Sequence, residues 1–350
     1  MARIRDATSS DNEGLLWLTS MTPMKGKISI RVDRNPNFFR LLNRRGCSQV
    51  LVAEQEGKIV GCISVACVPV HIDGKLETVY YLGDLKVHPD YQKTGLAVRL
   101  VKSMRRNLEA TDADLVISTA AYGNQRVLPF FNGRAGLPKA VAIGMFKVFQ
   151  IIPSSRRPNR NNYAIQEEPE HPDLYRLYND HFRSYQFGPF FQPDSLRDAR
   201  HWVARSGSDV QAALSLVDVG DSKQNVLIRL PLVLKILTTF FRNIHQIFPI
   251  VNLPETNQPV RILYIKALAC RRGHEGALDL LVQTARNVSF KERYHFLAIG
   301  VHEKDPLAKR FVSYPKFIFK SLGFVVSFKR GNDEINRLMR EVPYEDYSLV

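Results

Sequence analysis

Gln92-Lys93-Thr94-Gly95-Leu96-Ala97 stands directly ahead of apolar residues at helical spacing, Leu96, Leu100, Val101 and Met104. Before it, Leu85 and Val87 alternate around Lys86, and His88-Pro89-Asp90 halts the extension because proline cannot continue a ladder. A strand that turns through glycine into a helix aims several backbone N–H groups at one point, with the positive helix end behind them. The chemistry on offer is binding of a phosphate or pyrophosphate. Gly95 lets the backbone approach an anion closely, and Ala97 leaves the next turn uncrowded. Plain strand-to-helix turns share this local pattern, so the surrounding elements decide its meaning.

Those elements read as an α/β chain with a mixed sheet. Residues 3–5 form a short strand, and Asp11-Asn12-Glu13 offers helix-capping chemistry before Leu15 and Leu18. Residues 26–32 read as extended, and Pro36 opens a helix that Gly46 stops. Residues 49–54, 59–71 and 77–87 form an antiparallel meander with turns at Gly57 and Gly74. The meander feeds into the glycine turn and its helix, and residues 114–121 give the next strand. Residues 141–152 are expected to close a first domain, 1–152, as paired strands.

The polar, basic stretch 153–162 reads as a linker. Beyond it, Pro172 starts a helix through Phe182, 187–193 is an aromatic loop, and 197–203 reads as helical. Residues 211–219 and those from 225 onward read as strands. Residues 230–248 are apolar and of helical length, better suited to a helix packed between domains than to one lying on a membrane. Residues 261–285 repeat the strand–loop–helix order of the opening stretch, 294–301 gives a further strand, and 319–328 the closing strands. Aligning Arg271 with Gln92 puts His274 where Gly95 stands, a poorer residue for a left-handed backbone. Residues 163–350 are therefore expected to hold a second, degenerate copy.

Leu85-x-Val87-x-Pro89 followed by Gln92-x-x-Gly95-x-Ala97 resembles the cofactor motif of the GCN5-related N-acetyltransferases, the GNAT superfamily. Asn124, with the short helix and Gly136-Leu137 after it, resembles that family's later signature. The N-terminal half is also similar to Hookless-type acetyltransferases and their bacterial relatives. The resemblance implies two tandem GNAT-like acyl-CoA N-acyltransferase domains, the second degenerate, with acetyl-CoA as co-substrate and no metal. It implies cofactor contacts from Leu85, Val87, Gln92, Lys93, Thr94, Gly95, Leu96, Ala97 and Asn124. An amine would attack the thioester directly, with a backbone N–H near Val87 on its oxygen. Asp84 is the nearest carboxylate able to take the amine proton, and Tyr122 and Tyr81 are acid or substrate-contact candidates. The tyrosine that many members use as acid falls at Phe131, which has no hydroxyl.

A formal charge of +15 favours anionic partners, coenzyme A among them. The basic clusters are scattered and lack a nucleic-acid signature, so nucleic acid is not expected as a partner. The expected partner is an amine-bearing acceptor, small molecule or peptide, with surface association to membranes left open but no membrane span. Cys47, Cys62, Cys67 and Cys270 form no CxxC pair, and the N-terminus has no secretory signal, so a cytoplasmic location is expected. Two rival readings use the same scaffold: an acyl-CoA-binding regulatory module without catalysis, and a basic nucleic-acid or membrane-surface protein.

Overall fold

The computed structural model describes residues 2–24, 29–155, 163–193, 195–229 and 254–350. The expected helix 230–248, residues 26–28 of the first extended stretch and residues 156–162 of the linker lie outside the described residues. In chain order the first half contains β1 (Arg3–Asp6), α1 (Asn12–Ser20), β2 (Ser29–Asp33), α2 (Phe39–Arg45), β3 (Cys47–Gln55), β4 (Lys58–Ile72) and β5 (Lys75–Val87). It continues with α3 (Leu96–Glu109), β6 (Leu115–Ala121), α4 (Leu128–Phe131) and β7 (Val141–Ile151). The second half contains β8 (Ala164–Glu168), α5 (Pro172–Phe182), β9 (Gly188–Pro189), β10 (Ala199–Ser206), β11 (Asp209–Asp218), β12 (Gln224–Arg229) and β13 (Pro259–Val260). It ends with β14 (Ile262–Cys270), α6 (Gly276–Lys291), β15 (Phe296–His302), β16 (Lys316–Ser327) and α7 (Asn332–Leu338).

The fold is mixed α/β around one long sheet. Among the described residues its order is β1-β3-β4-β5-β6-β16-β7-β15-β14-β11-β10-β8, with β9 beside β4. The run β1-β3-β4-β5-β6 is repeated in the second half as β8-β10-β11-β14-β15. In both runs the last two strands are parallel and are joined by a long helix, α3 or α6. A small sheet, β13-β12-β2, also crosses between halves, because β2 pairs with β12.

The centre departs from the sequence expectation. Residues 141–152 form one strand, β7, rather than a strand pair, and β7 does not touch β6. The partners of β7 are β15 on one side and β16 on the other, while β16 lies between β6 and β7. Each half thus borrows a strand from the other. A local sequence reading expects a hairpin here, because pairing between strands this far apart in the chain leaves no local signal.

Period-two burial builds the layers. On β3, Leu51 and Ala53 face α3, with Leu96, Leu100 and Met104, while Val50 and Val52 face α1 and α2. On β11, Ala212 and Leu214 face α6 while Ala213 faces α5. The same rule corrects residues 197–203, expected as a helix. Trp202 and Ala204 face α6 and Val203 faces α5, so this stretch enters strand β10.

Candidate functional site

The parallel strands β5 and β6 pair only at Tyr80–Val116 and Tyr81–Ile117. Beyond that, β5 stays on β4 as far as Val87 and β6 stays on β16 as far as Ala121, so the two strands part and leave a cleft. The cause is a bulge. The β4–β5 register shifts between Cys62 and Ser64, and opposite it Asp84 adopts a left-handed φ of 49°. A bulge bends the strand that carries it. The edge of β5 from Leu82 to Val87 that faces β6 is therefore free of strand pairing. At the apex, the Tyr81 and Thr119 hydroxyls are hydrogen-bonded at 2.8 Å.

The chain leaves β5 through His88, whose ring stacks on Trp17 at 5.0 Å, and a 3-10 turn over Pro89–Tyr91. Lys93 and Gly95 then take left-handed φ values of 73° and 79°. Gly95 is the N-cap of α3, and no side chain caps the helix. A Cβ on Gly95 would meet nothing within 4 Å, and the first amides of α3 receive no side-chain cap. Leu96 is buried, and Leu85, Val87 and Ala97 pack against the same core. Gln92, Lys93, Thr94 and Gly95 are exposed. The apolar side chains thus anchor the loop while its backbone faces out.

Asn124 is brought to the same mouth by a residue that the sequence reading passed over. The Arg126 backbone N–H donates to Asn124 Oδ1 at 3.3 Å, and Arg126 Nη1 donates to Gln92 Oε1 at 3.2 Å. Gln92 Nε2 in turn donates to the Val87 carbonyl at 3.3 Å. Leu85, Val87, residues 92–97 and Asn124 therefore surround one cleft mouth. Phe131 lies apart, stacked on Phe324 at 3.8 Å.

Asp84 and Tyr122 are not brought together. Tyr122 sits at the end of β6, 62% exposed, with its backbone N–H on the Lys320 carbonyl. Asp84 lies at the bulge with its side chain 8% exposed. Its Oδ1 accepts from Arg34 Nη2 at 2.9 Å and its Oδ2 from the Ser64 hydroxyl at 3.0 Å. Burial works to raise its pKa, but Arg34, Lys86 and Ser64 together hold the carboxyl below its ordinary value.

Asp84 belongs to a buried polar cluster on the face of the sheet away from α3. Arg45, the last residue of α2, lies 3.5 Å over the Tyr81 ring, and its Nη1 donates to Glu345 at 2.9 Å. Burial raises the Glu345 carboxyl despite Arg45, and Tyr81 is pushed by burial up to about 12. Lys223 Nζ donates to the Tyr347 and Val350 backbone oxygens at 3.0 and 2.9 Å. Burial first, then Arg34 and Arg45, bring its pKa down to about 7. Sequence reasoning missed Arg34, Arg45, Lys223 and Glu345. They meet across separations of 50 and 300 residues, and no local pattern marks them.

The second half builds the same opening and fills it. Strands β14 and β15 pair only from Ile262–Phe296 to Tyr264–Ala298 and then part. The Tyr344 hydroxyl donates to the Lys266 carbonyl at 2.8 Å inside that opening. About 20 Å³ remains among Tyr185, Lys266, His302 and Tyr344, room for one water. In the loop, Gly273, not His274, takes the left-handed φ of 86°, so the expected histidine penalty does not arise. Instead the Glu275 carboxylate accepts from the Gly273 N–H at 3.0 Å, so this loop amide is taken by the chain's own carboxylate. His274 Nδ1 is bonded to the Tyr163 hydroxyl at 3.0 Å.

Among the described residues no helix is long and apolar enough to cross a membrane, and no group of three or more His, Cys, Asp or Glu is arranged to hold a metal ion.

Comparison with known proteins agrees with this geometry. Residues 46–131 match the acetyltransferase (GNAT) domain family, a stretch that runs from the start of β3 through the cleft, the loop and Asn124. No curated protein matches the chain significantly. Among solved structures, Saccharomyces cerevisiae N-myristoyltransferase with bound myristoyl-CoA is similar over 94% of this chain and 79% of its own, with TM-score 0.63 and 10% identity. A GCN5-related N-acetyltransferase from Anabaena variabilis is similar over 93% and 72%, with TM-score 0.53 and 11% identity. A probable N-acyltransferase from Enterococcus faecalis is similar over 92% and 72%, with TM-score 0.52 and 10% identity. At these identities the likeness is one of fold.

Proposed function

We propose that the chain is an N-acyltransferase that moves an acyl group, acetyl in the simplest case, from acyl-coenzyme A to an amine. The observation that carries this reading is the parting of β5 and β6 beside an uncapped helix N-terminus, within the residues that match the acetyltransferase domain. On this reading residues 1–152 bind acyl-CoA, and residues 163–350 form a degenerate second copy that lends β16 and a C-terminal segment to the first. The backbone of Gln92 through Ala97 receives the pyrophosphate, with Lys93 and Arg126 adding positive charge at the rim. Asn124 contacts the pantetheine arm, and the free edge of β5 from Leu85 to Val87 holds the thioester. The Tyr81–Thr119 pair closes the apex, which favours a short acyl group.

Holding amine and thioester in one cleft can supply several kcal/mol of the barrier lowering such a site needs. An N–H of the free β5 edge stabilises the charge that builds on the thioester oxygen. The amine forms the new C–N bond, the C–S bond breaks, and the amine proton passes to a carboxylate. Asp84 is ionised and takes this role directly or through water. Glu345, whose pKa burial raises, is the stronger base of the two. Tyr122 stands at the rim, so its service as acid to the departing thiolate requires its hydroxyl to turn inward.

The test is titration of acetyl-CoA into the full chain, followed by thiol release on adding amines. Binding of one equivalent, abolished by Gly95→Trp, and amine-dependent thiol release are expected. Binding without release from any amine favours the regulatory module, and no binding overturns the reading.

A further inference from the structure

We infer that the acceptor carries a carboxylate, or an equivalent oxyanion, beside its amine, and that Arg34 and Arg45 bind it; this rests on the acyl-transfer reading above. Arg34 is 7% exposed and Arg45 9%. Arg34 spends Nη2 on Asp84, and its Nε and Nη1 have no hydrogen-bond partner among the described residues. Arg45 spends Nη1 on Glu345, and its Nη2 likewise has none among them. Buried donors are nearly always satisfied, and an orphaned one next to a full charge is costly, so three on two arginines of one cluster point to a partner that is not among the described residues.

The surroundings favour an anion. The carboxylates near the arginines are already committed: Asp84 to Arg34 and Ser64, Glu345 to Arg45, and Asp346 to Lys266 and Ser348. Arg34 and Arg45 both act against a proton on Lys223 and Asp346 acts for it, so three cationic side chains share this cluster with carboxylates that are each already paired. Guanidinium groups present planar forks that match a carboxylate, and a ligand that fills them replaces the costly orphans with charge-assisted bonds.

Position ties the anion to the reaction. Arg34 reaches the bulge residue Asp84, and Arg45 lies over Tyr81, where β5 and β6 begin to part. Both come from the α1–α2 side of the sheet, opposite the α3 layer that carries the pyrophosphate loop. An acceptor anchored there by its carboxylate enters from the face opposite the loop, with its amine directed into the cleft.

The experiment has two arms on the full chain. In the first, thiol release from acetyl-CoA is measured with proteinogenic amino acids, their primary amides, their decarboxylated amines and their aminophosphonate analogues. At least one acid is expected to exceed its amide by about tenfold to a hundredfold in kcat/KM, the usual worth of one charge-assisted hydrogen bond. The phosphonates decide between carboxylate and a more highly charged oxyanion. Arg34→Lys and Arg45→Lys keep the pairs with Asp84 and Glu345 but remove the orphan donors. Both are expected to reduce the acid-over-amide ratio to a few-fold, whatever each does to the rate with amides. In the second arm, thermal melting is followed with millimolar N-acetyl amino acids and their amides in place of substrates. The acids are expected to raise Tm, and the effect to vanish in both variants. Equal turnover of acids and amides together with no acid-specific Tm shift overturns the inference while leaving acyl transfer standing. An acid-specific Tm shift that both lysine variants lose, with no thiol release from any amine, keeps the anion site and overturns the acyl-transfer reading instead. If a lysine variant fails to fold, the wild-type acid-over-amide comparison alone decides.

Discussion

Replacing Asp84 by asparagine removes one charge and little else. Asparagine tolerates a left-handed backbone as aspartate does, so the φ of 49° adds no strain. The Ser64 hydroxyl can keep its 3.0 Å bond to the amide oxygen. What is lost is a 2.9 Å ion pair between two side chains each 8% exposed. Arg34, already short of partners at Nε and Nη1, then loses the ion pair it makes among the described residues. Breaking a buried pair from one side costs about 3–5 kcal/mol, a large share of the roughly 5–15 kcal/mol that folding usually leaves. Urea denaturation should show the midpoint falling with the slope unchanged. The pH series gives the sign. Arg34, Lys86 and Ser64 outweigh burial and depress the Asp84 pKa in the folded protein. Its stabilisation is therefore complete above the unfolded value of about 4 and is lost as pH falls through the folded value. Wild type and D84N should differ fully at pH 7 and converge below about pH 4. A loss under about 1 kcal/mol at pH 7, or a difference indifferent to acid, refutes the buried-pair argument. The same variant separates two roles in turnover. A proton acceptor loses about a hundredfold to ten-thousandfold in kcat, whereas a residue that only positions Arg34 raises KM for the acceptor.

Three further outcomes follow from the same geometry. Gly95→Trp should lose more than about tenfold in acyl-CoA affinity, about 1.4 kcal/mol, by calorimetry. Gly95→Ala shares the strain of φ 79° without the bulk and should keep most of the affinity, so equal losses in the two variants refute steric blockage of the loop. Lys223 has its pKa lowered by burial to about 7, whereas an unfolded lysine holds its proton to about 10.4, so the unfolded chain binds the extra proton between those values and stability rises with pH there. Lys223→Met should flatten that rise in a denaturation series from pH 7 to 10, and an unchanged slope refutes the burial argument. Glu275→Ala frees the loop amide at Gly273, yet acetyl-CoA should still bind at one per chain because Tyr344 fills the second opening; two per chain in calorimetry refutes that.

What the sequence made legible was local. The cleft strand, its proline stop, the glycine turn and the apolar stripe of α3 are all set within Leu85–Leu108, where period-two and period-3.6 patterns carry the information. The repeat of that unit at β14, its loop and α6 was legible for the same reason. Residues 199–203 were not, because Trp202, Val203 and Ala204 are buried on both faces of the sheet and such an apolar run has no distinctive period. Nor was the central strand exchange, since β7 and β16 each suit a local hairpin as well as the distant partner they take. The glycine loop proposed to receive the coenzyme lies on one continuous stretch, so its residues could be named from the sequence. The buried cluster of Arg34, Arg45, Lys223 and Glu345 exists only after the chain has folded, and each of these residues alone reads as solvated surface charge.

The filled second opening bears on how the first one works. Residues 343–347 run from one to the other. The Tyr344 hydroxyl bonds to the Lys266 carbonyl in the second, Glu345 bonds to Arg45 in the first, and the Tyr347 hydroxyl reaches Ser321 on the strand β16 that the first half borrows. Gly300 of β15 lets that segment pass, because a methyl group there would fall within the Tyr347 ring. A second opening that bound its own coenzyme would have to expel Tyr344 and would carry Glu345 away from Arg45. That would leave a buried guanidinium unpaired, at a cost of about 3–5 kcal/mol. Closure of the second opening and assembly of the arginine cluster beside the first are thus one packing event. A variant that reopens the second, such as Tyr344→Ala, is expected to weaken the acceptor side of the first before it creates any new site for acyl-CoA.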